Sequence, residues 1–397
     1  MQITWDIHTH LQGIAEEWDQ LLPADHPMRS QELLLAEDAC LPRLSYYYVV
    51  ARIGGKPVLL VYFQHLQVTP EHFNCRDRFF QHHSLNIALR TVKPTLLVAG
   101  NLFRHDATYY RFAPLPDAAP EPAEIFRLTV EEVLNRSRAS GIFLKDITAE
   151  CAQRMDQDPN YHRMQEDVSM VLHVPEAWQS MADYEKALKH KYLQRYRKTR
   201  KQLDGIEIRE LDRSEVEHRS AEIEALYLQV TNRQLVSMGK LNRRFFCAMK
   251  EQLGDRYRVF GWFLDGRMVA FSSAILHDGV YDMNYIGFDY GVNASHGIYF
   301  NILFHCLEQA ILTRSASLVL GRTALEAKAI LGCAPEYQHS FYRLRHVVVN
   351  WFFQRVSAGF REQIGQKWKD RHPFKSGFYA ASPETGPLQY HEQELSS

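Results

Sequence analysis

Residues 257–277, YRVFGWFLDGRMVAFSSAILH, contain two runs rich in aromatic and β-branched residues on either side of Asp265-Gly266. An Asp-Gly pair suits a tight hairpin turn, because such turns need positive φ angles. A third run of the same kind, VYDMNYIGFDY (280–290), follows directly. The segment therefore predicts a three-stranded antiparallel meander.

An earlier part of the chain repeats this order of elements. Residues 45–68, SYYYVVARIGGKPVLLVYFQHLQV, form two β-rich runs around Gly54-Gly55. After each hairpin, apolar residues at i, i+3 and i+4 predict a helix, over about 121–138 and 296–313. A short buried strand follows each helix, IFLKDI after Gly141 and SLVLG at 317–321. The repetition predicts an α/β (α+β) fold with two tandem domains, each a mixed, mostly antiparallel sheet flanked by helices.

The junction between the two copies has its own pattern. DVSMVLHVPEAW (167–178) predicts a strand that ends in a proline turn, followed by a helix over 180–203 and a strand over 206–211. We therefore expect a first domain over 1–178, a second domain with the active site over 179–380, and a flexible tail over 381–397.

Composition excludes several classes of protein. The chain has a formal net charge of −1 and 46% hydrophobic residues, which argues against general disorder and against a DNA-binding protein. The six cysteines are scattered, as in a reduced cytoplasmic protein. The chain shows neither a signal peptide nor an apolar run long enough for a membrane span, and its histidines and cysteines fit no common metal-site spacing. We expect a cytoplasmic protein without a bound metal or cofactor.

Positive charge is concentrated in residues 186–203, KALKHKYLQRYRKTRKQL, which hold eight Lys or Arg residues and no acid. On a helix, Lys191, Arg195 and Lys198 fall on one stripe, with Lys201 beside it. Two interpretations stay open. The stripe is a solvated helix face, or it binds a phosphorylated donor, acceptor or RNA.

Three segments resemble, in order, the Fem-like (FemAB-type) branch of the GNAT acyltransferase superfamily, whose members have tandem GNAT domains. These are a basic helix leading into a strand (188–211), the meander (260–289), and the closing motif LGRTALEAKAILGCAP (320–335). The resemblance implies an N-acyltransferase that forms an amide by direct attack of an acceptor amine on an activated acyl group. It implies a small-molecule or cell-wall-precursor amine as the acceptor.

The donor stays open between acyl-CoA and aminoacyl-tRNA, used as a co-substrate. The chain has no long charged arm of the kind found in members that use tRNA. It also has a single glycine in NASHGIYF (293–300), where CoA-dependent relatives have a glycine-rich loop. A non-catalytic GNAT pair that binds a phosphorylated ligand, RNA or a protein partner is the alternative.

Several residues are candidates for the chemistry. The resemblance associates Lys328 with acyl transfer, where a cation could steady an oxyanion or a phosphate. Arg322 follows a strand end, where a guanidinium can take a phosphate or carboxylate. Asp282 and Tyr285 are candidate general bases or acids, and Glu326 is a further carboxylate.

The predicted strand 280–289 and the helix after it complete the candidate site. Strict alternation predicts that one face of the strand carries Tyr281, Met283, Tyr285 and Gly287, and the other Asp282, Asn284, Ile286 and Phe288. The helix that begins near Ser295, His296 and Gly297 offers backbone N–H groups to a phosphate. Lys198 and Arg200 of the basic stretch are candidates for the same donor phosphates.

Overall fold

The computed structural model describes residues 2–24, 26, 28–39, 44–73, 83–104, 109–164, 168–234, 237–345, 371–376 and 378. The predicted tail over 381–397 lies outside these residues. The strands are β1 (Ile3–His8), β2 (Leu44–Ile53), β3 (Lys56–Gln67), β4 (Thr95–Ala99), β5 (Tyr110–Phe112), β6 (Gly141–Ile147), β7 (His162–Met164), β8 (Val168–His173), β9 (Ile206–Glu210), β10 (Tyr257–Leu264), β11 (Arg267–His277), β12 (Val280–Phe288), β13 (Ser317–Val319), β14 (Ala334–Tyr337) and β15 (His339–Leu344).

The helices are α1 (Ala15–Gln20), α2 (Ser30–Ala39), α3 (His83–Val92), α4 (Pro122–Ser137), α5 (Ala149–Asp156), α6 (Met181–Ala187), α7 (His190–Lys201), α8 (Arg213–His218), α9 (Ser220–Thr231), α10 (Arg243–Leu253), α11 (Tyr290–His296), α12 (Ile298–Leu312) and α13 (Leu325–Leu331). Single 3₁₀ turns span Pro70–His72 and Gly254–Arg256.

The strands form two mixed, mostly antiparallel sheets, as the sequence predicts. The first sheet has the order β1-β2-β3-β4-β6-β15-β7, with β5 also paired to β3. The second has the order β14-β8-β13-β12-β11-β10-β9. Both hairpins form at the predicted glycine turns, because Gly54, Gly55 and Gly266 adopt positive φ. The fold class is confirmed.

The two sheets exchange strands. β8 precedes residue 178 in the chain but lies in the second sheet, between β13 and β14. β15 comes from the second half but lies in the first sheet, between β6 and β7. Counted from the predicted boundary, each sheet therefore contains one strand from the other half of the chain. A boundary at residue 178 stays a prediction.

Apolar layers cover the sheets. The first sheet packs against α4 and α5 around Phe126 and Val130. One face of the second sheet packs against α12 around Ile302 and Leu303. Its other face packs against α9 and α10, and Phe103 of the first half joins that layer. The second sheet is therefore buried on both faces, and one of those faces contacts the first half of the chain.

The basic helix differs from its prediction. The helix expected over 180–203 is broken into α6 and α7 at Leu188, which is extended at φ −73° and ψ 143°. Leu188 forms a β-bridge with Phe374, and the Lys189 N–H donates to the Pro373 carbonyl at 2.8 Å. These tertiary hydrogen bonds replace the intrahelical ones, so the helix stops there.

The pairing of β15 with β6 can be tested at Gly141. A Cβ built at this position would contact Leu344 and lie 2.8 Å from the Arg343 carbonyl oxygen of β15. We expect Gly141→Ala to lower the free energy of unfolding by about 1–3 kcal/mol, because the exchanged strand has to move. Chemical denaturation measures this change. Gly13→Ala, which meets nothing within 4 Å, is the control and should change stability by less than about 0.5 kcal/mol. Equal effects of the two substitutions would contradict the exchange.

Candidate functional site

The parallel strands β12 and β13 part from each other in the second sheet. They pair only where Val280 to Asp282 lie opposite Ser317 to Val319. β12 continues to Phe288 alongside β11, whereas the chain after β13 follows β8, with the Leu320 N–H donating to the Met170 carbonyl. This divergence leaves one edge of β12 beyond Asp282 without a described strand partner.

A β-bulge lies at the point where the strands part. The pairing register shifts so that Ser273 of β11 faces both Asn284 and Tyr285. The Ser273 hydroxyl donates to the Tyr285 carbonyl and accepts from the Tyr285 N–H, both at 3.0 Å. The extra residue is therefore held by a side chain rather than by a strand partner.

The bulge overturns the predicted alternation of β12. Tyr281 and Met283 belong to the apolar layer against α12, as expected for one face, but Ile286 and Phe288 pack into that same layer. Tyr285 packs on the opposite face, with the α9 and α10 layer. One extra residue shifts a period of two by one step, so every later side chain changes face.

Two buried polar side chains precede the bulge. Asp282 is 4% exposed, and its carboxylate lies 3.9 Å from His277 Nε2. Asn284 is 7% exposed, and its Oδ1 has no hydrogen-bond partner among the described residues. An unsatisfied buried acceptor is costly, which makes Asn284 a candidate to receive an N–H of a ligand. Strand alternation predicted the face on which Asn284 lies but gave it no role; the available signal was an amide inside a buried strand.

Tyr285 connects the second sheet to the first half of the chain. Its hydroxyl donates to the Phe103 carbonyl at 2.8 Å, and its ring packs edge-on against Tyr227 and Phe245. Because this hydrogen bond uses the hydroxyl proton, catalysis by Tyr285 would require the bond to break. Its role as a general acid or base stays a prediction.

Lys328 lies just beyond the parted strand β13. The side chain is 1% exposed, and its Nζ donates to the Gly321 carbonyl at 3.1 Å. Left-handed residues at Gly321 (φ 76°) and Ala324 (φ 53°) turn the chain between β13 and α13, and α13 contacts α12 and β8. A buried ammonium therefore lies at the strand end, whereas the neighbouring candidate Glu326 is ion-paired with Arg371 at the surface.

Arg322 forms an ion pair across the two sheets. Its guanidinium donates to Asp146 Oδ1 at the end of β6. Lys145 Nζ lies 2.7 Å from the other oxygen of Asp146 and also donates to the Arg104 carbonyl. Burial raises the pKa of Asp146, but the charges of Lys145 and Arg322 together lower it below its ordinary value. The ionised carboxylate therefore holds Arg322 beside the first sheet.

Asp146 was not predicted as part of the site. It adopts a left-handed conformation (φ 56°), which is uncommon for residues other than glycine. The available signal was the charged pair Lys145-Asp146 within the buried strand GIFLKDI. Since buried charges are rarely placed without a partner, such a pair indicates an interface or a site.

The residues predicted to bind the phosphates of the acyl donor lie near one another, where α7 ends and α12 begins. Ser295 and His296 end α11, and Gly297, at φ 55°, connects it to α12. Gln202, just after α7, lies so close that a Cβ on Gly297 would be 2.7 Å from its Oε1. Asn301 Nδ2 also donates to the Thr199 carbonyl at 3.0 Å. The C-terminal end of the basic helix is thus fastened to the start of α12.

The start of α12 is partly capped from within the chain. The Tyr299 N–H donates to Asn293 Oδ1 at 2.8 Å. One of the N–H groups that a phosphate would use is therefore already satisfied. Phosphate binding by Ser295, His296 and Gly297 stays a prediction.

The basic residues of α7 point to opposite sides of the helix. Lys191, Lys198 and Lys201 are exposed and form no ion pair with a described residue. Arg200 lies on the opposite side, half-buried, with its Nη2 3.7 Å from Glu308. Lys198 and Arg200 were both predicted to bind the phosphates of the acyl donor. Lys198 faces solvent, whereas Arg200 faces the protein.

In the first sheet, buried tyrosines lie beside the parallel strands β4 and β6, which correspond to β12 and β13. β4 and β6 pair in parallel over four residues, Leu96–Ala99 against Gly141–Leu144. Tyr109 and Tyr110 are buried beside them, with Tyr110 against Phe126 at a ring separation of 4.5 Å. The two halves are therefore not equivalent, and the parted strands belong to the second sheet.

The sequence matches the FemAB-like family, described as peptidoglycan biosynthesis/recognition, over residues 108–376, about two thirds of the chain. The chain belongs to this family. The match covers β12, β13 and α13, and the Fem-like assignment made from the sequence is confirmed. No curated protein matches the chain at a significant level.

Several solved structures resemble this FemAB-like protein at low identity. One is FemX, at 9% identity and TM-score 0.46 over 90% of this chain and 100% of that one. Another is a tandem GNAT protein from the clavulanic acid biosynthesis pathway, at 10% and 0.48 over 87% and 99%. A third is a GCN5-related N-acetyltransferase from Anabaena variabilis, at 8% and 0.45 over 87% and 74%.

None of the helices formed by the described residues has the length and apolar character needed to cross a membrane.

The ion pair of Asp146 gives a prediction for stability. Asn keeps the shape of Asp and tolerates the left-handed backbone, so Asp146→Asn removes mainly the charge. We expect a loss of about 3 kcal/mol near neutral pH, measured by chemical denaturation, because Arg322 and Lys145 lose a buried partner.

The pH dependence of that loss follows from the lowered pKa of Asp146. The carboxylate stabilises the fold fully above the pKa of the unfolded state, about 3.9, and this stabilisation disappears as the pH falls through the lower folded pKa. The difference between wild type and Asp146→Asn should therefore shrink below about pH 4. Asp156→Asn, which breaks an exposed pair with Arg163, is the control and should cost less than about 1 kcal/mol. A difference that did not change with pH would refute the ion-pair role.

Proposed function

We propose that this protein is an acyltransferase that forms an amide on an amine of a peptidoglycan-type precursor. The acyl group would come from an activated donor held in the second domain. Membership of a family described by peptidoglycan biosynthesis/recognition supports the class of acceptor. We propose both the identity of the acyl donor and that of the acceptor amine.

The parting of β12 and β13 is the observation that carries this proposal. It leaves the outer edge of β12 beyond Asp282 without a described strand, next to the buried Asn284 and the end of β13. An extended acyl or aminoacyl group could lie along this edge and use the backbone hydrogen bonds that a strand would use. The first sheet supports the assignment by contrast, because the buried Tyr109 and Tyr110 lie beside its parallel pair, β4 and β6.

In direct acyl transfer, each candidate residue has a separate proposed role. The acceptor amine loses a proton and attacks the acyl carbonyl, the C–N bond forms, and the C–O or C–S bond to the donor breaks. Asp282, the buried carboxylate beside the gap, is the proposed proton acceptor. Lys328 is proposed to stabilise the negative charge on the carbonyl oxygen or on a nearby phosphate. Arg322, held by Asp146, is proposed to bind an anionic group of a substrate.

The basic face of α7 supports a donor that carries several phosphates. Lys191, Lys198 and Lys201 span eleven residues of helix, a length of roughly 15 Å. This is a longer stripe than a single pyrophosphate requires, and it adjoins the start of α12 through Gln202. We therefore propose aminoacyl-tRNA as the first donor to test and acyl-CoA as the second.

The test is an amide-forming assay with purified protein and a nucleotide-linked peptidoglycan precursor, read by mass spectrometry. Separate reactions contain aminoacyl-tRNA or acyl-CoA. Lys328→Met keeps the length of the side chain and removes the ammonium, so we expect the rate of transfer to fall by about 100-fold or more. Melting temperature checks that the variant folds.

Lys186→Met is the matched control, since Lys186 is exposed and forms its ion pair with Asp183 within α6. Its rate should equal that of the wild type. Product formed at an unchanged rate by Lys328→Met would remove Lys328 from the mechanism. Binding of tRNA or precursor without product from any donor would favour the non-catalytic alternative.

A further inference from the structure

Residues 371–376 and 378, the strap, cross the break between α6 and α7. Phe374 of the strap forms the β-bridge with Leu188 at this break. Two backbone hydrogen bonds flank the bridge, from the Lys189 N–H to the Pro373 carbonyl at 2.8 Å and from the Lys375 N–H to the Ala187 carbonyl at 2.9 Å. These bonds run in both directions, as in a short antiparallel pair of strands. The strap is therefore fixed to the chain at the point where the basic helix begins.

The side chain of Phe374 anchors the strap. It is 1% exposed, and its ring stands edge-on to Trp178 and Tyr184 at centroid separations of 5.9 and 6.0 Å. The ring of Phe378 stacks on it at 3.9 Å. Because packed aromatic rings bury a large apolar area, side-chain packing holds the strap in addition to the backbone hydrogen bonds.

The strap contacts both ends of α13, the helix that carries Lys328. Arg371 of the strap donates to Glu326 in the first turn of α13. At the other end, Gly332 terminates the helix at φ 121°, and a Cβ built there would overlap the Phe374 ring. Lys328 lies in the sequence between these two contacts, so the strap fixes the helix on either side of it.

α13 has few internal features that stabilise it. It is seven residues long, and the alanine at its N-cap position, Ala324, has no side-chain oxygen to cap the first turn. An isolated helix of this length is unstable in water, so tertiary packing has to hold it in place. Tyr184, which packs against Phe374, donates its hydroxyl proton to the Leu331 carbonyl of α13 at 2.9 Å. The same aromatic cluster therefore holds the strap and the end of this helix.

We propose that Phe374 is a positioning residue for Lys328. This role rests on the proposed function, in which the Lys328 ammonium stabilises negative charge during acyl transfer. The strap joins the start of α7, whose basic face is the proposed donor surface, to both ends of α13. It thereby keeps the ammonium in register with the bound donor. A displacement of about 1 Å at a reacting group can slow a reaction by about 100-fold, so Phe374 affects the rate without contacting the substrate.

A double-mutant cycle in the amide-forming assay tests this role. Phe374→Leu keeps an apolar side chain but removes the ring that lies against Gly332. We expect kcat to fall about tenfold, because α13 is no longer held in one place. In the Lys328→Met background, the same substitution should change kcat by less than about twofold, since no ammonium is left to be misplaced. Losses that multiply in the double variant would overturn the role.

Phe126→Leu is the matched control, because Phe126 is fully buried in the layer that covers the first sheet. It makes the same change of side chain away from α13. We expect it to lower the melting temperature without lowering kcat at a temperature at which the variant is folded. An equal loss of kcat in Phe126→Leu would mean that any loosening of the core slows the reaction, which would overturn a specific role for Phe374.

Hydrogen exchange of the same variants gives a readout that needs no substrate. The amides of Lys189 and Gly332 donate to the Pro373 and Lys328 carbonyls, respectively. Phe374→Leu should speed exchange of both amides and leave β10 and β11 unchanged. Unchanged exchange at Gly332 would overturn the role, because the strap would then not hold α13.

The cycle also separates this role from the proposed function. An unchanged rate in Lys328→Met would overturn the proposed function and the role of Phe374 with it. A slow Lys328→Met combined with multiplied losses in the double variant would overturn the role of Phe374 alone.

Discussion

β8 and β15 each pair with the sheet formed mainly by the other half of the chain. Each sheet is completed by a strand from the other half of the chain, so neither sheet has its full set of backbone hydrogen bonds without the other. The exchange holds the end of β6 near the end of β13. It thereby brings Asp146 to Arg322 and Tyr285 to the Phe103 carbonyl. The candidate site is a product of this arrangement rather than of either sheet alone.

Within this frame the two halves differ at one place. β4 and β6 pair over four residues, and buried tyrosines lie beside them, whereas β12 and β13 pair over three residues and then part. The bulge held by Ser273 lies at the same level as the divergence, with Asn284 buried beside it. The two halves share an order of elements, but the divergence of β12 and β13 is found in the second sheet. The positive charge of α7 is divided between its outer face and the inward-facing Arg200.

The sequence predicted the features that depend on local chemistry. Glycine pairs located both hairpins, and apolar spacing located α4 and α12 to within two residues. It did not predict the exchange, because the pattern at 167–178 indicates a strand without indicating its partners. It placed Tyr285 on the wrong face, since a bulge depends on the neighbouring strand. It predicted an unbroken helix at Leu188, where the contact with Phe374 decides the conformation. Lys328 and Asp282 were nominated from the sequence, whereas Asp146 needed the contact with Arg322 to be recognised.

Hydrogen exchange with and without a bound donor tests whether the donor lies between β12 and β13. We expect aminoacyl-tRNA or acyl-CoA to slow exchange along β12 beyond Asp282, at residues 320–328 and at the start of α12. We expect no change along β4 and β6, where the parallel strands are already paired. Slower exchange confined to the first sheet would contradict the claim that the opening between β12 and β13 is the binding site.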